Sequence, residues 1–155
     1  MRRAHRWIRY DGRKRPRQIN GRFAKSNDPR TWSSYRMASR STVGVGVGFV
    51  LNGDGIVCID LDHCVLPDRR RTPLARRALE LAGDTYCERS MSGEGVHIFG
   101  WYRGGLFDVE GGSRDDSRGV EVYGDRRYIA VTGDVVRGKP VRLGDITELV
   151  DWLVG

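Results

Sequence analysis

The sequence has 155 residues, of which 39% are hydrophobic and 30% charged, so it suffices for one folded domain and leaves little room for a second. No apolar run approaches the roughly 20 residues of a membrane-spanning helix, and no apolar stretch follows the basic N-terminus as in a secretory signal. The three cysteines form no C-x-x-C pair and leave one over in any pairing, which favours a reducing cytoplasm over a disulfide scaffold.

The positive charge is concentrated near the N-terminus. Residues 1–40 contain 13 Lys and Arg against two aspartates, whereas the rest of the chain has 14 basic and 18 acidic residues. A basic segment beside a mildly acidic body is typical of contact with a polyanion, although a solvated, Arg-rich tail would have the same composition. We expect nucleic acid to contact the densest basic run and the arginines that follow it, namely Arg13, Lys14, Arg15, Arg17 and Arg22.

Alternating hydrophobic residues between turn-forming residues predict seven strands. In chain order they cover residues 5–10, 43–51, 56–62, 85–89, 96–101, 120–123 and 128–132. Three helices are predicted, from Asp28-Pro29 to about residue 39, from Thr72-Pro73 to Leu81, and over about residues 146–153. Hairpins mixed with helices predict an α+β fold on a largely antiparallel sheet.

The predicted strand 56–62 ends in two carboxylates. Because side chains alternate along a strand, Asp60 and Asp62 share one face, opposite to Val57, Ile59 and Leu61. Carboxylates side by side repel each other, and a divalent cation such as Mg²⁺ relieves that repulsion. The pattern therefore favours a metal site, with an ordinary strand end bearing two solvated acids as the alternative.

Two further strands repeat this alternation, with Glu121 and His97 each opposite apolar neighbours. If the three strands are neighbours in register, one face carries Asp60, Asp62, His97 and Glu121. Three carboxylates and an imidazole suit two-metal phosphoryl transfer, in which one ion activates the attacking 3′-hydroxyl and the other neutralises the leaving pyrophosphate. A buried core histidine is the alternative interpretation of His97.

A Ser/Gly loop, residues 90–95, directly precedes the strand that carries His97. Gly93 and Gly95 permit a tight loop whose backbone N–H groups, with the hydroxyls of Ser90 and Ser92, can face phosphate oxygens. A plain hairpin turn would use the same residue types. Two arginines that follow Glu121 could also hold phosphate, although arginines are ordinary at surface turns; they are Arg126 and Arg127.

Two other patterns predict neither a nucleotide-binding loop nor a zinc site. The alternation of glycine and valine at residues 44–48 lacks the Lys-Ser/Thr of a P-loop and the spacing of a dinucleotide site. It favours a strand against which another group packs closely. Zinc is not predicted, because Cys58, His63, Cys64 and Cys87 lack paired ligand spacing.

Together these segments resemble the archaeo-eukaryotic primase superfamily, in particular the bifunctional DNA primase-polymerase catalytic domains of phages and mobile elements. That superfamily is defined by an h-h-D-h-D strand, a small-x-His strand and a later strand with a single acid. Residues 58–62, 95–97 and 120–122 match these motifs in that order. Flanking segments at 20–33, 46–50 and 128–133 are also similar, so the resemblance spans roughly residues 5–135.

The resemblance implies a primase core, with an RRM-like sheet and helices packed behind it. Asp60, Asp62 and Glu121 would ligate two Mg²⁺ or Mn²⁺ ions, and His97, with Ser92 nearby, would contact the triphosphate of the incoming NTP or dNTP. The implied activity is that of a DNA primase and polymerase, which joins nucleotides to a 3′-hydroxyl on a primed single-stranded DNA template during replication. The implied setting is the cytoplasm of a bacterial host cell, with no membrane partner.

Relatives often continue into a helical domain or a helicase, and residues 1–155 contain neither. We therefore expect a single catalytic domain that includes the basic part at about 1–40, with a separate helicase or helical primase subunit to assist initiation. Relatives often carry Lys before Pro in the N-terminal loop, where Arg15-Pro16 keeps the charge but changes the donor geometry. The alternatives are a non-catalytic or degenerate nucleic-acid-binding module of the same fold and a metal-dependent nuclease.

Overall fold

The computed structural model describes residues 1–104 and 113–155. Within these ranges the strands are β1 (Trp7–Tyr10), β2 (Pro16–Arg17), β3 (Gly46–Leu51), β4 (Ile56–Leu61), β5 (Cys87–Arg89), β6 (Val96–Trp101), β7 (Ser113–Asp115), β8 (Val120–Tyr123), β9 (Arg127–Val131) and β10 (Gly144–Asp145). The α-helices are α1 (Tyr35–Arg40), α2 (Pro73–Leu81) and α3 (Thr147–Val154). None of these helices has the length and apolar character needed to cross a membrane.

The described strands form two sheets. One has four strands in the order β2-β1-β3-β9, and every neighbouring pair is antiparallel. The other has six strands, with the path β10-β6-β4-β8-β7 and β5 paired to β6. Its pairs are antiparallel except for the parallel pair of β10 and β6. The α+β class and the largely antiparallel pairing predicted from the sequence are confirmed.

Helices α2 and α3 pack behind the six-stranded sheet. Val57, Ile59 and Leu61 of β4 face this side and share one buried cluster with side chains of both helices. Ala75 and Ala78 are the fully buried residues of α2, and their small side chains let the helix lie close to the sheet. This packing buries one face of β4, and Asp60 lies on the opposite face.

The opposite face of the six-stranded sheet meets the four-stranded sheet. Cys58 and Phe99 of the first and Trp7 and Phe49 of the second belong to one buried cluster. The rings of Trp7 and Phe49 pack edge to face with centroids 5.1 Å apart. Because Trp7 is only 1% exposed and Tyr10 only 4%, the basic N-terminal segment is part of the fold. The alternative of a solvated tail is wrong.

The helix predicted from Asp28 to about residue 39 is interrupted. A 3-10 turn at Pro29–Thr31, capped by Asp28, ends at Trp32, and the α-helix starts only at Tyr35, capped by Ser34. Between them Ser33 pairs with Trp7 through two backbone hydrogen bonds, of 2.8 and 2.9 Å. This long-range pairing holds the chain extended where local propensity would continue the helix. The other two predicted helices are confirmed, α2 with Thr72 as its N-cap.

Two glycines of β3 lie beneath tyrosine rings. A Cβ at Gly46 would lie 2.5 Å from the Tyr10 hydroxyl oxygen, and one at Gly48 would lie 2.6 Å from Cδ2 of Tyr128. The two rings stack on each other with centroids 5.9 Å apart. The close packing predicted for the glycine-valine segment is therefore confirmed, and it brings Tyr10 and Tyr128 together.

Candidate active site

The four polar residues predicted to share one face do converge. In the central strand β4, Asp60 is the register partner of His97 on β6 and of Glu121 on β8. Asp62 directly follows β4. Carboxylate oxygens of Asp60, Asp62 and Glu121 all lie within 4.8 Å of one another. This separation is that of ligands around a common cation, and oxygen donors of this kind suit a hard divalent ion.

Asp60 has the most unusual environment of the three. Burial raises the pKa of its carboxyl above the ordinary value; His97 opposes this rise, and the neighbouring charges of Asp62 and Glu121 add to it. Its Oδ1 atom is buried without a hydrogen-bond partner among the described residues, since Nε2 of His97 is 3.6 Å away. A buried carboxylate oxygen without a donor is costly, so this atom fits a metal ligand better than a structural role.

Glu121 is held by two neighbours. The Tyr123 hydroxyl, two residues along β8, donates to Oε2, and Nε of Arg114 on β7 lies 3.0 Å from Oε1. Burial, followed by this hydrogen bond to Glu121, raises the pKa of Tyr123. The Arg114 guanidinium is mostly exposed, whereas the Glu121 carboxylate is largely covered. Arg114 therefore supplies positive charge at a point where a cation would compete for the same oxygens.

His97 is fixed by a residue that sequence reasoning missed. Glu88 on β5 lies opposite His97 in the sheet register, and its Oε1 is 3.1 Å from His97 Nδ1. Glu88 is fully buried and also accepts from the Tyr86 hydroxyl at 2.6 Å and from the backbone N–H groups of Thr132 and Gly133 at 3.0–3.1 Å. The contact of Nδ1 with Glu88 turns Nε2 of His97 toward Asp60 and the cleft.

The signal for Glu88 in the sequence is weak. Period-two alternation places it on the same face as Tyr86, but a glutamate on a short strand is normally solvated. Its burial depends on the segment after β9, more than 40 residues away, which folds over it and contributes the two N–H donors. Glu88 thus joins the sheet that carries the acids to the last strand of the other sheet.

The Ser/Gly loop uses many of its donors internally. The N–H groups of Gly93, Glu94 and Gly95 donate to the Ser90 carbonyl, the Ser92 hydroxyl and the Ser90 hydroxyl at 3.0–3.2 Å. Gly95 has no room for a side chain, because a Cβ would lie 2.8 Å from Ser90 Oγ and 2.9 Å from the Leu61 carbonyl. These three N–H groups therefore stabilise the loop. Ser90 and Ser92 do line the cleft described next.

A cleft of about 650 Å³ opens above Asp60 and Asp62, a volume typical of small-molecule sites. One wall comes from elements of the six-stranded sheet and the Ser/Gly loop, and the other from the four-stranded sheet and its loops. The first wall includes Asp60, Asp62, His63, Ser90, Ser92, Glu94, His97 and Tyr123. The second wall includes Tyr10, Lys14, Ser26, Arg126, Arg127 and Tyr128. The cleft thus has an acidic floor and a basic rim.

The predicted basic contacts divide into three groups. Lys14 and Arg127 line the cleft, and the Arg127 guanidinium lies 4.0 Å from the centre of the Tyr123 ring. Arg15 and Arg17 instead pair with Asp11 at 2.9 and 3.1 Å, which leaves them less available to a ligand. The two remaining predicted contacts, Arg13 and Arg22, are exposed outside the cleft.

Comparison with known proteins agrees with the geometry. The chain is 38% identical over 138 residues, 84% of its length, to a DNA primase-polymerase of Nitratiruptor phage NrS-1. The comparison confirms the resemblance to DNA primase-polymerases. The match covers only 18% of that phage protein, so the chain corresponds to a small part of its primase-polymerase relative. No protein-family model matches the chain.

Proposed function

We propose that this chain is a template-dependent nucleotidyltransferase, a DNA primase and polymerase that joins nucleoside triphosphates to a 3′-hydroxyl in DNA replication. The observation that carries the proposal is the meeting of Asp60, Asp62 and Glu121 within 4.8 Å, where Asp60 and Asp62 line the floor of a cleft with a basic rim. Acids facing a polyanionic substrate repel it unless cations intervene, which argues against a passive binding surface. The similarity to a phage DNA primase-polymerase supports the same activity.

Asp60, Asp62 and Glu121 would hold two divalent ions, Mg²⁺ or Mn²⁺, because carboxylate oxygens are the ligands that these hard ions prefer. When bound, the ions would lower the pKa of the attacking 3′-hydroxyl and neutralise the triphosphate. The protein fixes the positions of these carboxylates relative to one another. Asp60 and Glu121 are paired across β4 and β8, so their relative position is set by the sheet and not by a loop.

His97, Ser90, Ser92 and Arg127 would bind the triphosphate of the incoming NTP or dNTP. They lie along the cleft from the Ser/Gly loop to the start of β9. Glu88 holds the His97 ring with Nε2 toward the cleft, and the Arg127 guanidinium is oriented by the Tyr123 ring. Gly93 and Gly95 shape the loop. These groups position the substrate, which is the main contribution a protein makes to phosphoryl transfer.

Single-stranded DNA template and primer would approach along the basic loop that contains Lys14, with Arg13 and Arg22 as outer contacts. We propose that residues 1–155 act as one catalytic domain, and that a separate helicase or helical primase subunit assists initiation. The three cysteines are free and buried, which fits the reducing cytoplasm of a bacterial host cell. The phage relative fits the same setting.

The test is nucleotide incorporation by the purified protein on primed and unprimed single-stranded templates, with Mg²⁺ or Mn²⁺ and with EDTA. Extension of the primer that EDTA abolishes is expected, and product on the unprimed template would add primase activity. The double variant Asp60→Ala, Asp62→Ala should lose incorporation while remaining folded. A matched control, Glu80→Ala with Asp84→Ala, removes two exposed acids that do not line the cleft and should keep full activity.

Full activity of the Asp60, Asp62 double variant would overturn the metal assignment. Metal-dependent shortening of labelled single-stranded DNA, without incorporation of nucleotides, would instead identify a nuclease. DNA binding without either reaction would identify a non-catalytic module of the same fold.

A further inference from the structure

A short basic hairpin leaves the candidate site directly after Asp62. Val65 and Arg71 pair as an antiparallel bridge, and the Leu66 N–H donates to the Arg70 carbonyl at 2.8 Å to close the turn. The hairpin is tied to the Ser/Gly loop, because the Val65 N–H donates to the Glu94 carbonyl at 2.9 Å. It therefore forms an extension of the cleft wall that carries Asp62 and Glu94.

The hairpin and the first turns of α2 carry a dense positive charge. Residues 69–77 include five arginines, namely Arg69, Arg70, Arg71, Arg76 and Arg77. Arg70 pairs with Asp68, and Arg77 with Glu80 at 3.3 Å. Arg69, Arg71 and Arg76 form no ion pair with a carboxylate in the described part of the chain, and Arg69 and Arg76 are exposed. Their charges are thus available to an external anion.

The backbone at the hairpin tip supports a functional reason for this charge. Among the described residues, four that are not glycine have a positive φ, and all four carry a basic side chain: Lys14, His63, Arg69 and Arg126. Glycine or asparagine would occupy such positions with less strain. Lys14, His63 and Arg126 line the cleft, and Arg69 lies at the hairpin tip. The three strained basic residues of the cleft suggest selection for binding over stability, and Arg69 repeats this pattern at the hairpin tip.

We propose that this hairpin, through Arg69, Arg71 and Arg76, is a second contact for the phosphodiester backbone of DNA. It would bind a strand that leaves the cleft past the wall that carries Asp62 and Glu94, beyond the residues that line the cleft. The inference deepens the proposed function, since it rests on a nucleic-acid substrate in the same cleft. It adds a binding surface distinct from the N-terminal basic loop.

The test compares the wild type with the triple variant Arg69→Gln, Arg71→Gln, Arg76→Gln by fluorescence anisotropy. Labelled single-stranded DNA and a primer-template duplex are titrated between about 50 and 200 mM salt. If each arginine contacts one phosphate, the slope of log affinity against log salt should fall by about 2 on the single strand or nearly 3 on the duplex. The DNA substrate on which the loss of slope reaches its expected value is the one that lies on the hairpin.

The matched control is Arg103→Gln, Arg137→Gln, Arg142→Gln, which removes the same charge from exposed residues that do not line the cleft. Thermal unfolding verifies that both variants fold. An unchanged slope in the hairpin variant, or an equal fall in the control, would overturn the inference. Because the readout is binding, it is independent of catalysis. A specific loss of slope without any nucleotide incorporation would retain the hairpin contact and reject the proposed polymerase.

Discussion

The carboxylate of Glu88 lies 3.1 Å from Nδ1 of His97, and both side chains are buried between the two sheets. Glu88 also accepts the N–H groups of Thr132 and Gly133, so a single side chain links β5, β6 and the segment after β9. Rotation of the His97 ring would break its contact with Glu88. Glu88 therefore positions the imidazole without contacting the substrate.

We predict that Glu88→Gln lowers kcat by about tenfold or more, in line with the loss of other carboxylates that orient a functional histidine. The amide keeps the size of the side chain but presents donors where backbone N–H groups now donate. Steady-state incorporation assays give kcat and KM, and thermal denaturation reports stability. The exposed Glu80→Gln is the control. A fall in stability with unchanged kcat would assign Glu88 a structural role only.

Asp62 offers a cleaner test of the metal site than Asp60, because it is exposed and makes few contacts that stabilise the fold. We expect Asp62→Asn to lower incorporation by roughly 10²–10³-fold, the usual effect of removing one electrostatic contact to the transition state, while the melting temperature changes little. Titration with Mn²⁺ should show weaker metal binding in the variant. Wild-type metal affinity would contradict the assignment of Asp62 as a ligand.

Asp60 predicts a pH dependence of stability in the absence of metal. Its pKa is raised in the folded protein by burial, so the native state retains the proton at pH values where the unfolded chain has lost it. The free energy of unfolding should then fall as pH rises above the ordinary aspartate pKa. Asp60→Asn should raise the melting temperature in EDTA near neutral pH, and the gain should shrink toward acidic pH. If the gain in melting temperature were independent of pH, the raised pKa of Asp60 would not be its cause.

Arg114 would compete with a cation for Glu121, because its Nε lies 3.0 Å from Oε1 of the carboxylate. Arg114→Gln should therefore tighten binding of Mn²⁺, by less than about tenfold because an exposed ion pair contributes little. Calorimetric titration of the nucleotide-free protein measures this change. Arg103→Gln, which removes an arginine paired with Asp145 at 3.1 Å, should leave the metal affinity unchanged. Weaker metal binding by Arg114→Gln would show that Arg114 supports the site.

Gly48 has no space for a methyl group, since a Cβ would lie 2.6 Å from the Tyr128 ring. Gly48→Ala should destabilise the protein by about 1–3 kcal/mol and displace Tyr128 from the cleft wall. Urea denaturation and the KM for nucleotide measure the two effects. Gly12→Ala is a comparison at a glycine that, like Gly48, has no positive φ, and a Cβ added there would have no atom within 4 Å. Equal losses in both variants would show that the clash with Tyr128 is not the cause.

The sequence predicted correctly those features that depend only on residues close together in the chain. Alternation along β4 placed Asp60 on the face opposite to Ile59, and the sheet register then brought it beside His97 and Glu121. The apolar strands and the Thr72 cap were predictable for the same reason, because each depends on residues a few positions apart.

Features that depend on distant partners were missed. The break before Tyr35 arises because Ser33 pairs with Trp7, 26 residues away. The burial of Glu88 arises because the chain after β9 folds over it. Neither partner can be identified from the local pattern, which predicts a continuous helix in one case and a solvated edge residue in the other.

The donor at position 132 to Glu88 is a main-chain N–H, which nineteen of the twenty amino acids possess. Replacements of Thr132 other than proline should therefore keep this link between the sheets, whereas an apolar residue in place of Glu88 removes every acceptor at once. The tolerance to mutation is thus unequal on the two sides of the same hydrogen bond. In a library of random variants, functional clones should be diverse at residue 132 and nearly uniform at residue 88.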